Sequence, residues 1–280
     1  MRLAAAIATT SLWMLSAAAT PPAAPQRIVT LAPHLTELVY AAGAGPRIVG
    51  TLDTSDYPAE ARRIERVGDS QHLDAERLVA LKPDLVLLWG DGQPAAQRAL
   101  IERLHLPTLS LEEHTLDDVA RDVERLGQVL GTREVARVEA ERLRRGFADL
   151  RARYGGARRL RAFWQVWSAP LFTLGGRHVA TEMLGVCGAD NVFADQTQSA
   201  VTVDEEAVLA RRPDVLVLSA SRAETADWLA RWRQRVPPAA LSKGAVVVLN
   251  PDQVTRMGPR LLEGTLQLCE RLEALRAVVR

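Results

Sequence analysis

Glu76-Arg-Leu-Val-Ala-Leu-Lys-Pro-Asp-Leu-Val-Leu-Leu88 returns 130 positions further along the chain as Glu206-Ala-Val-Leu-Ala-Arg-Arg-Pro-Asp-Val-Leu-Val-Leu218. In each copy a glutamate opens a short amphipathic helix, Pro-Asp ends that helix, and an apolar strand follows. A helix–turn–strand unit that occurs twice predicts two similar lobes. Proteins with two lobes commonly bind a ligand in the cleft between them.

A second repeat supports the same division of the chain. Thr36-Glu37-Leu38, with Gly43-Ala44 after it, returns as Thr181-Glu182-Met183 with Gly188-Ala189 after it. Strands and helices alternate around both repeats with short loops, which indicates parallel, Rossmann-like sheets. We expect Thr36 to cap the first helix of the N-terminal lobe.

The segment between the lobes is predicted to be helical. Leu116–Leu130 has the pattern of one amphipathic helix, Gly131 ends it, and Thr132 starts a second helix that runs to about Tyr154. A helix of about 20 residues spans roughly 30 Å, enough to bridge two lobes, although a surface helix is the simpler alternative.

The predicted fold is therefore α/β, with two Rossmann-like lobes joined by a single long α-helix and a ligand cleft between the lobes. The N-terminal lobe covers residues 27–114 and the C-terminal lobe covers residues 158–280. Residues 115–157 form the helical segment that includes the bridging helix.

The N-terminus has the pattern of a secretory signal peptide. Met1-Arg2 supplies positive charge, Leu3–Leu15 is apolar, and Ala17-Ala18-Ala19 fits the small-residue cleavage rule. We expect residues 1–19 to be removed, residues 20–26 to form a disordered leader, and the mature protein to be exported and soluble. The formal net charge of +1 gives no reason to expect nucleic acid as a partner.

The chain has two cysteines, Cys187 and Cys269. In an oxidising compartment an even pair favours a disulfide over the alternative of two buried free thiols. Such a bridge would tie the C-terminal helix to its own lobe, so we expect its role to be structural.

Residues at the carboxyl ends of the predicted strands are candidates for ligand binding, because ligands bind beyond these ends in open parallel sheets. Aromatic faces suit a large flat ligand, and polar groups orient it. The candidates are His34, Tyr57, Trp89, Trp167, Phe172, Asp252 and Arg256. Packing in the core or at the hinge is the alternative for each tryptophan. Trp228 and Trp232, one helical turn apart, are expected to pack within the lobe.

Enzymatic and metal-binding signatures are absent from the sequence. It contains no G-x-S-x-G elbow, P-loop or H-E-x-x-H motif, and its histidines lack the spacing of a metal site. We therefore predict no catalytic residues, no metal ligands and no catalytic cofactor. The alternative from a different class is a two-lobed metal-dependent hydrolase or reductase, for which Asp53, Asp56, His34 and Asp252 are the available ligands.

Two interpretations remain for the repeated glutamates. Glu76 and Glu206 each begin a predicted helix, where the helix dipole favours a carboxylate. Alternatively, the two carboxylates form a matched pair, one on each lobe, that contacts basic sites on a two-fold symmetric partner.

Several stretches resemble the periplasmic corrinoid (vitamin B12) binding proteins of ABC importers, within the helical-backbone metal-receptor class. The resemblance covers nearly the whole mature chain. It is carried by Arg27–Leu31 with Ala32-Pro33, Thr36-Glu37-Leu38, Ser55-Asp56-Tyr57-Pro58, Glu76–Trp89, Val186-Cys187-Gly188, Asn191-Val192-Phe193, Glu206, Arg256, Pro259-Arg260 and Leu268-Cys269.

The resemblance implies a monomer whose two lobes are joined by one rigid helix and close only slightly on the ligand. It implies a corrinoid as the ligand, faced by Tyr57, Trp89, Phe172 and the loop at residues 252–256. It also implies a disulfide between the two cysteines. The two repeated glutamates would dock on arginines of the importer's membrane subunits, where such charge pairs mainly set register and association rate.

Three positions depart from the pattern of this family. Ser70 and Ala200 stand where the best-known corrinoid binders have cleft tryptophans. Val166 stands near another cleft aromatic, for which Trp164 or Trp167 is close enough to substitute. Lost stacking surfaces weaken binding. The ligand therefore stays open among vitamin B12, another corrinoid, haem and a ferric chelate such as a ferric siderophore.

Overall fold

The computed structural model describes residues 23–90, 92–234 and 245–277. The signal peptide predicted for residues 1–19 lies outside the described residues, as do residues 20–22 of the predicted leader. Within the leader, the backbone N–H of Gln26 donates to Asp84 at 2.8 Å, and the carbonyl of Pro25 accepts from Arg47 at 3.3 Å.

The N-terminal lobe is built on a parallel sheet with the strand order β2-β1-β3-β4. Its strands are β1 (Ile28–Thr30), β2 (Ile48–Thr51), β3 (Leu85–Trp89) and β4 (Thr108–Leu111). Its helices are α1 (Pro33–Ala41), α2 (Ala75–Ala80) and α3 (Ala95–Arg103). Strand β3 reads as a continuous apolar run because helices or loops cover both of its faces.

The C-terminal lobe has a larger sheet with the order β10-β9-β5-β6-β8, and β7 also pairs with β5. Its strands are β5 (Leu160–Ser168), β6 (Leu171–Leu174), β7 (Ala189–Asn191), β8 (Ala200–Thr202), β9 (Val215–Ser219) and β10 (Val246–Leu249). Its helices are α6 (Val179–Val186), α7 (Glu205–Ala210), α8 (Arg222–Gln234), α9 (Pro251–Val254) and α10 (Leu261–Arg276). Strands β7, β9 and β10 follow the predicted parallel pattern, whereas β6 and β8 are antiparallel additions.

Two helices connect the lobes, α4 (Leu116–Leu130) and α5 (Arg133–Tyr154). Helix α4 ends at Gly131, whose φ of 69° suits glycine. Helix α5 has 22 residues and is about 33 Å long. It contacts α4 and α1 on one side and α6 and α10 on the other, so it bridges the two lobes. The predicted fold class, two α/β lobes joined by one long helix with a cleft between them, is confirmed.

The repeated unit has the same local structure in both lobes. Asp74 accepts a hydrogen bond from the backbone N–H of Arg77 at 3.0 Å and so caps α2. Asp204 does the same for α7, with the N–H of Ala207 at 2.7 Å. These side chains satisfy donors that the first turn of a helix leaves without partners.

The aspartate of each Pro-Asp pair ties the unit to the first strand of its lobe. Asp84 accepts from the backbone N–H of Arg27 at 2.8 Å, and Asp214 accepts from that of Arg161 at 2.9 Å. The two arginine side chains donate back to carbonyl groups at the ends of α2 and α7, at 2.8 and 2.6 Å. The repeat in the sequence is therefore a repeat of one hydrogen-bonded unit.

The predicted capping role of Thr36 is wrong. Helix α1 begins three residues earlier, with Ala32 as its N-cap and Pro33 in its first turn. Proline is favoured there because the first turn needs no N–H from it. Thr36 is buried instead, and its hydroxyl lies 2.7 Å from that of Thr30 and 2.9 Å from that of Thr51.

The predicted disulfide between Cys187 and Cys269 is present, with a Cα–Cα distance of 4.6 Å. It joins the C-terminal end of α6 to the middle of α10, so it ties the last helix to its own lobe as expected. Among the helices of the described residues, none is long and apolar enough to cross a bilayer.

Candidate functional site

The carboxyl ends of the strands face a cleft between the lobes, and charged side chains from both lobes meet there. Arg256, just after α9, extends its guanidinium to the N-terminal lobe, where Nη1 lies 2.7 Å from Oδ1 of Asp56. Its Nη2 lies 2.8 Å from Oδ1 of Asp252, within the C-terminal lobe. Partial burial pushes the pKa of Asp56 up, but the hydrogen bond and charge of Arg256 outweigh it and hold the pKa below its ordinary value.

A second arginine crosses the cleft beside the first. Arg260 donates from Nε and Nη2 to the two carboxylate oxygens of Glu37, at 2.9 and 2.6 Å. The Glu37 side chain is only 2% exposed, and burial raises its pKa although the bonds from Arg260 oppose the rise. The Arg260 guanidinium also lies 4.1 Å from the centre of the Tyr57 ring, which is the geometry of a cation–π contact.

Tyr57 has one face against Arg260 and remains 44% exposed. A cavity of about 210 Å³ opens beside it, bounded by α1, by Glu139 and Arg142 of α5, and by the segment before α10. Arg260 lines this cavity together with Tyr57, so the ring contacts the guanidinium and is still partly accessible.

His34 lies behind the cleft surface, with 3% of the residue exposed. Its ring contacts the partly buried Trp89 edge-on, with the ring centres 5.2 Å apart. Burial, and to a lesser extent the charge of Arg256, lowers the pKa of His34 to about 3, so the ring is neutral near pH 7. The structure thus places His34 in the interior, in edge-on contact with Trp89.

Two buried carboxyl groups complete this layer. Oε2 of Glu113 lies 3.5 Å from Nε2 of His34. Burial, together with the charge of Asp122, raises the pKa of Glu113 to about 9, and burial raises the pKa of Asp122 to about 6. Two ionised carboxylates cannot bond to each other, whereas a protonated Glu113 can donate to Asp122.

Trp167 and Phe172 lie opposite each other on the β5–β6 hairpin. Trp167 is 50% exposed, and its Nε1 donates to the carbonyl of Ala169 at 3.1 Å. Phe172 is partly buried. Neither ring contacts another aromatic ring among the described residues, whereas Arg256 pairs with Asp56 and Asp252, and Trp89 contacts His34. Trp164, the other possible substitute near Val166, is fully buried in the core.

Glu76 and Glu206 are exposed in the first turns of α2 and α7. In the described ranges neither carboxylate forms an ion pair or a hydrogen bond. Glu76 borders a shallow groove with Val79 and Leu104. The predicted packing of Trp228 and Trp232 is confirmed, since both are buried and Nε1 of Trp232 donates to Gln165 at 2.8 Å.

Sequence reasoning missed three residues of the site, namely Glu37, Arg260 and Glu113. Glu37 had two signals, because it belongs to the second repeat and to a stretch that resembles the corrinoid binders, and Arg260 lies in another such stretch. Glu113 had none. No group of three or more His, Cys, Asp or Glu side chains placed to hold a metal ion occurs in residues 23–90, 92–234 and 245–277.

Two α/β lobes, a long bridging helix (α5) and a cleft lined by aromatic and charged groups define a ligand-binding protein of the two-lobed class. The sequence matches the Periplasmic binding protein family over residues 28–236. The chain belongs to this family, in agreement with the resemblance noted in its motifs.

Proteins with similar sequences match this chain over both of its lobes. A vitamin B12-binding protein of Vibrio parahaemolyticus is 33% identical over 251 residues, which is 90% of each chain. A vitamin B12-binding protein of Yersinia pestis is 35% identical over 263 residues, or 94% of this chain and 91% of the relative.

Solved structures show the same fold. The periplasmic vitamin B12-binding protein of Vibrio cholerae superposes with a TM-score of 0.82 at 33% identity, over 91% of this chain and 99% of that one. A periplasmic haem-binding protein in complex with two haems superposes with a TM-score of 0.77 at 26% identity, over 91% and 99% of the two chains.

Proposed function

We propose that this protein is a periplasmic substrate-binding protein that captures a corrinoid, vitamin B12 or a close relative, and delivers it to an ABC importer. The main support is the 33–35% identity to vitamin B12-binding proteins, which extends over at least 90% of this chain. We propose that the protein acts as a monomer and performs no covalent chemistry.

The chemistry of the cleft suits a corrinoid. The macrocycle is large and apolar on its faces, and its rim carries amide side chains. Tyr57 and Trp167 each expose about half of their surface, one from each lobe, and offer aromatic faces to the macrocycle. Trp89 and Phe172 add partly buried aromatic surface, while Asp252 and Arg256 can hydrogen-bond to amides. His34 acts through the position of Trp89.

Haem is the second candidate ligand. It is favoured by the 26% identity to a haem-binding protein and by the absence of tryptophan at Ser70 and Ala200, two positions that are both exposed here. A ferric siderophore would use the same cleft.

Calorimetric titration of the exported protein with cyanocobalamin, other cobamides and haem tests the proposal. We expect saturable heat with a cobamide at a ratio of one ligand to one protein. Absorption spectra provide the control, because cobalt corrins and haem absorb at different wavelengths. Saturable binding of haem with no heat from any cobamide would refute the corrinoid assignment.

We also propose that Glu76 and Glu206 dock on basic residues of two membrane subunits related by a two-fold axis. The support is their equivalent place in the repeat, their exposure, and their freedom from intramolecular pairing in the described part of the chain. Two equivalent acidic sites match a partner that presents one basic site twice.

Replacing both glutamates by alanine tests this docking. Ligand affinity should stay unchanged, whereas binding to the importer in lipid nanodiscs should be lost and transport should stop. Glu102→Ala, which removes an exposed carboxylate elsewhere on the N-terminal lobe, serves as the control. The docking proposal fails if the double variant binds the importer normally, or if its ligand affinity falls.

A further inference from the structure

The second repeat places one glutamate in an equivalent position of each lobe, Glu37 in α1 and Glu182 in α6. In both cases the carboxylate is paired within the molecule. Each one binds groups that belong to another part of the molecule, as described below.

Glu37 ties the N-terminal lobe to the C-terminal lobe. Its carboxylate accepts hydrogen bonds from Nη2 and Nε of Arg260, at 2.6 and 2.9 Å. One of its oxygens also lies 3.7 Å from Nη1 of Arg256. The backbone approaches closely here as well, since a Cβ atom added at Gly258 would lie 3.1 Å from a Glu37 oxygen. A paired and hydrogen-bonded carboxylate at this depth is strongly destabilised when either partner is removed.

Glu182 ties the C-terminal lobe to the connecting helices. Its Oε2 accepts from the backbone N–H of Leu116 at 2.7 Å, in the first turn of α4, and its Oε1 accepts from Arg151 at 2.8 Å, near the end of α5. A carboxylate at the N-terminus of α4 is also favoured by the helix dipole. Because α4 packs on α1 of the N-terminal lobe, this contact also fixes one lobe relative to the other.

We propose that Glu37 and Glu182 are positioning residues that hold the two lobes at one separation in the absence of ligand. Through Arg260, Glu37 also keeps the Tyr57 ring and the Arg256 guanidinium facing the cleft. The charged groups around Glu37 agree with this role, since Arg256 is in turn held by Asp56 from one lobe and by Asp252 from the other.

The two glutamates contribute unequally. Glu37 has lost almost all contact with water and binds the opposite lobe directly, whereas Glu182 is about one-third exposed and is partnered by a backbone N–H and one guanidinium. Loss of Glu37 should therefore widen the range of lobe separations more than loss of Glu182.

The test measures the distance between the lobes in ligand-free protein. Spin labels attached to Glu102→Cys on α3 and Ala226→Cys on α8, both exposed, report this distance by double electron–electron resonance. Both native cysteines are in the disulfide, so only the two new thiols take up label. We expect one narrow distribution for the parent protein, a broad one for Glu37→Gln, and an intermediate one for Glu182→Ala.

Asp190→Asn is the matched control, because it breaks the Asp190–Arg159 ion pair, which lies entirely within the C-terminal lobe. Its distribution should stay narrow. Arg260→Lys is the second variant in case Glu37→Gln does not fold. Lysine keeps a positive charge beside Glu37, but it cannot form the bidentate hydrogen bond with the carboxylate or place a planar guanidinium against the Tyr57 ring.

A titration with cyanocobalamin gives a second readout, and only this readout rests on the proposed function. If the lobe separation that can bind cyanocobalamin falls to about one-tenth of the population, the apparent Kd for cyanocobalamin rises about tenfold. Narrow, unchanged distributions in Glu37→Gln, or in Arg260→Lys if Glu37→Gln does not fold, would overturn the role of Glu37. A distribution in Glu182→Ala that matches the parent protein would overturn the role of Glu182. Failure of the parent protein to bind any cobamide would refute the proposed function, and the distance result would still decide this inference.

Discussion

Glu113→Gln should change the pH dependence of stability. The side chain of Glu113 is fully buried beside His34 and Asp122, and its pKa is raised from 4.5 to about 9. Glutamine has nearly the shape of the protonated acid and also carries a donor, but it does not titrate. The substitution therefore removes a proton-binding site while it preserves the packing.

The sign of the effect follows from which state holds the proton. Between pH 4.5 and about 9 the folded protein keeps Glu113 protonated, whereas the unfolded chain releases this proton. Stability from this group is therefore complete below pH 4.5 and is lost as the pH rises, by about 1.4 kcal/mol per pH unit. Between pH 6.5 and 8.5 the loss amounts to roughly 2–3 kcal/mol.

This window also separates Glu113 from its neighbours. Asp122, with a pKa of about 6, has lost most of its contribution by pH 6.5. His34 works in the opposite direction, since its lowered pKa gives stability that is present above pH 6.5 and lost as the pH falls toward about 3. Between pH 6.5 and 8.5, Glu113 is therefore the residue among these three whose titration changes the free energy of unfolding with pH.

Urea unfolding followed by tryptophan fluorescence at pH 6.5, 7.5 and 8.5 measures the effect. The quantity of interest is the difference between the parent protein and Glu113→Gln, because the other titrating groups are common to both. Glu112→Gln is the control, since that neighbouring side chain is half exposed. Parallel pH dependences in the parent protein and Glu113→Gln would refute the assignment of a buried, protonated Glu113.

Four further predictions concern parts of the molecule away from Glu113. Replacing both Cys187 and Cys269 by serine should lower the free energy of unfolding by about 4.5 kcal/mol, because the bridge spans 82 residues and restricts the unfolded chain; a loss below about 1 kcal/mol in urea unfolding would contradict this. Asp204→Ala should destabilise by about 1 kcal/mol through loss of the cap on α7, and Asp74→Ala by a similar amount on α2, as measured by thermal melting. Trp167→Ala should weaken cobalamin binding at least tenfold in calorimetry and change stability by less than about 0.5 kcal/mol, since the ring is half exposed. Trp232→Phe should show the reverse, with lower stability and unchanged affinity, because that ring is buried and bonded to Gln165.

Local patterns predicted much of the fold. The repeated unit contains its own cap, turn and strand within a short stretch, so its structure follows from neighbouring residues. Helix α4 was predicted with its observed bounds because Gly131 ends it and its apolar face is regular. The β5–β6 hairpin was not predicted, since the apolar run of β5 continues through Trp167 and reverses only at Ala169-Pro170.

The site was less predictable because its important contacts join distant parts of the chain. Glu37 and Arg260 are 223 positions apart, and neither residue has neighbours in sequence that reveal its partner. His34 follows a strand end, which favours a place on the ligand surface, yet the residue is buried and its ring contacts Trp89 edge-on. Thr36 was misassigned for a related reason, since a buried threonine cluster looks like a helix cap in sequence.

Under the proposed function, the long helix α5 has a consequence for how uptake responds to the supply of ligand. A protein whose lobes stay at one separation presents nearly the same outer surface to the importer whether it is empty or loaded. Empty copies would then compete with loaded copies for the same docking sites, in proportion to their concentrations. Producing more binding protein than there is ligand would therefore slow uptake. The importer would have to distinguish cargo by touching it in the open cleft, because the shape of the carrier gives no signal.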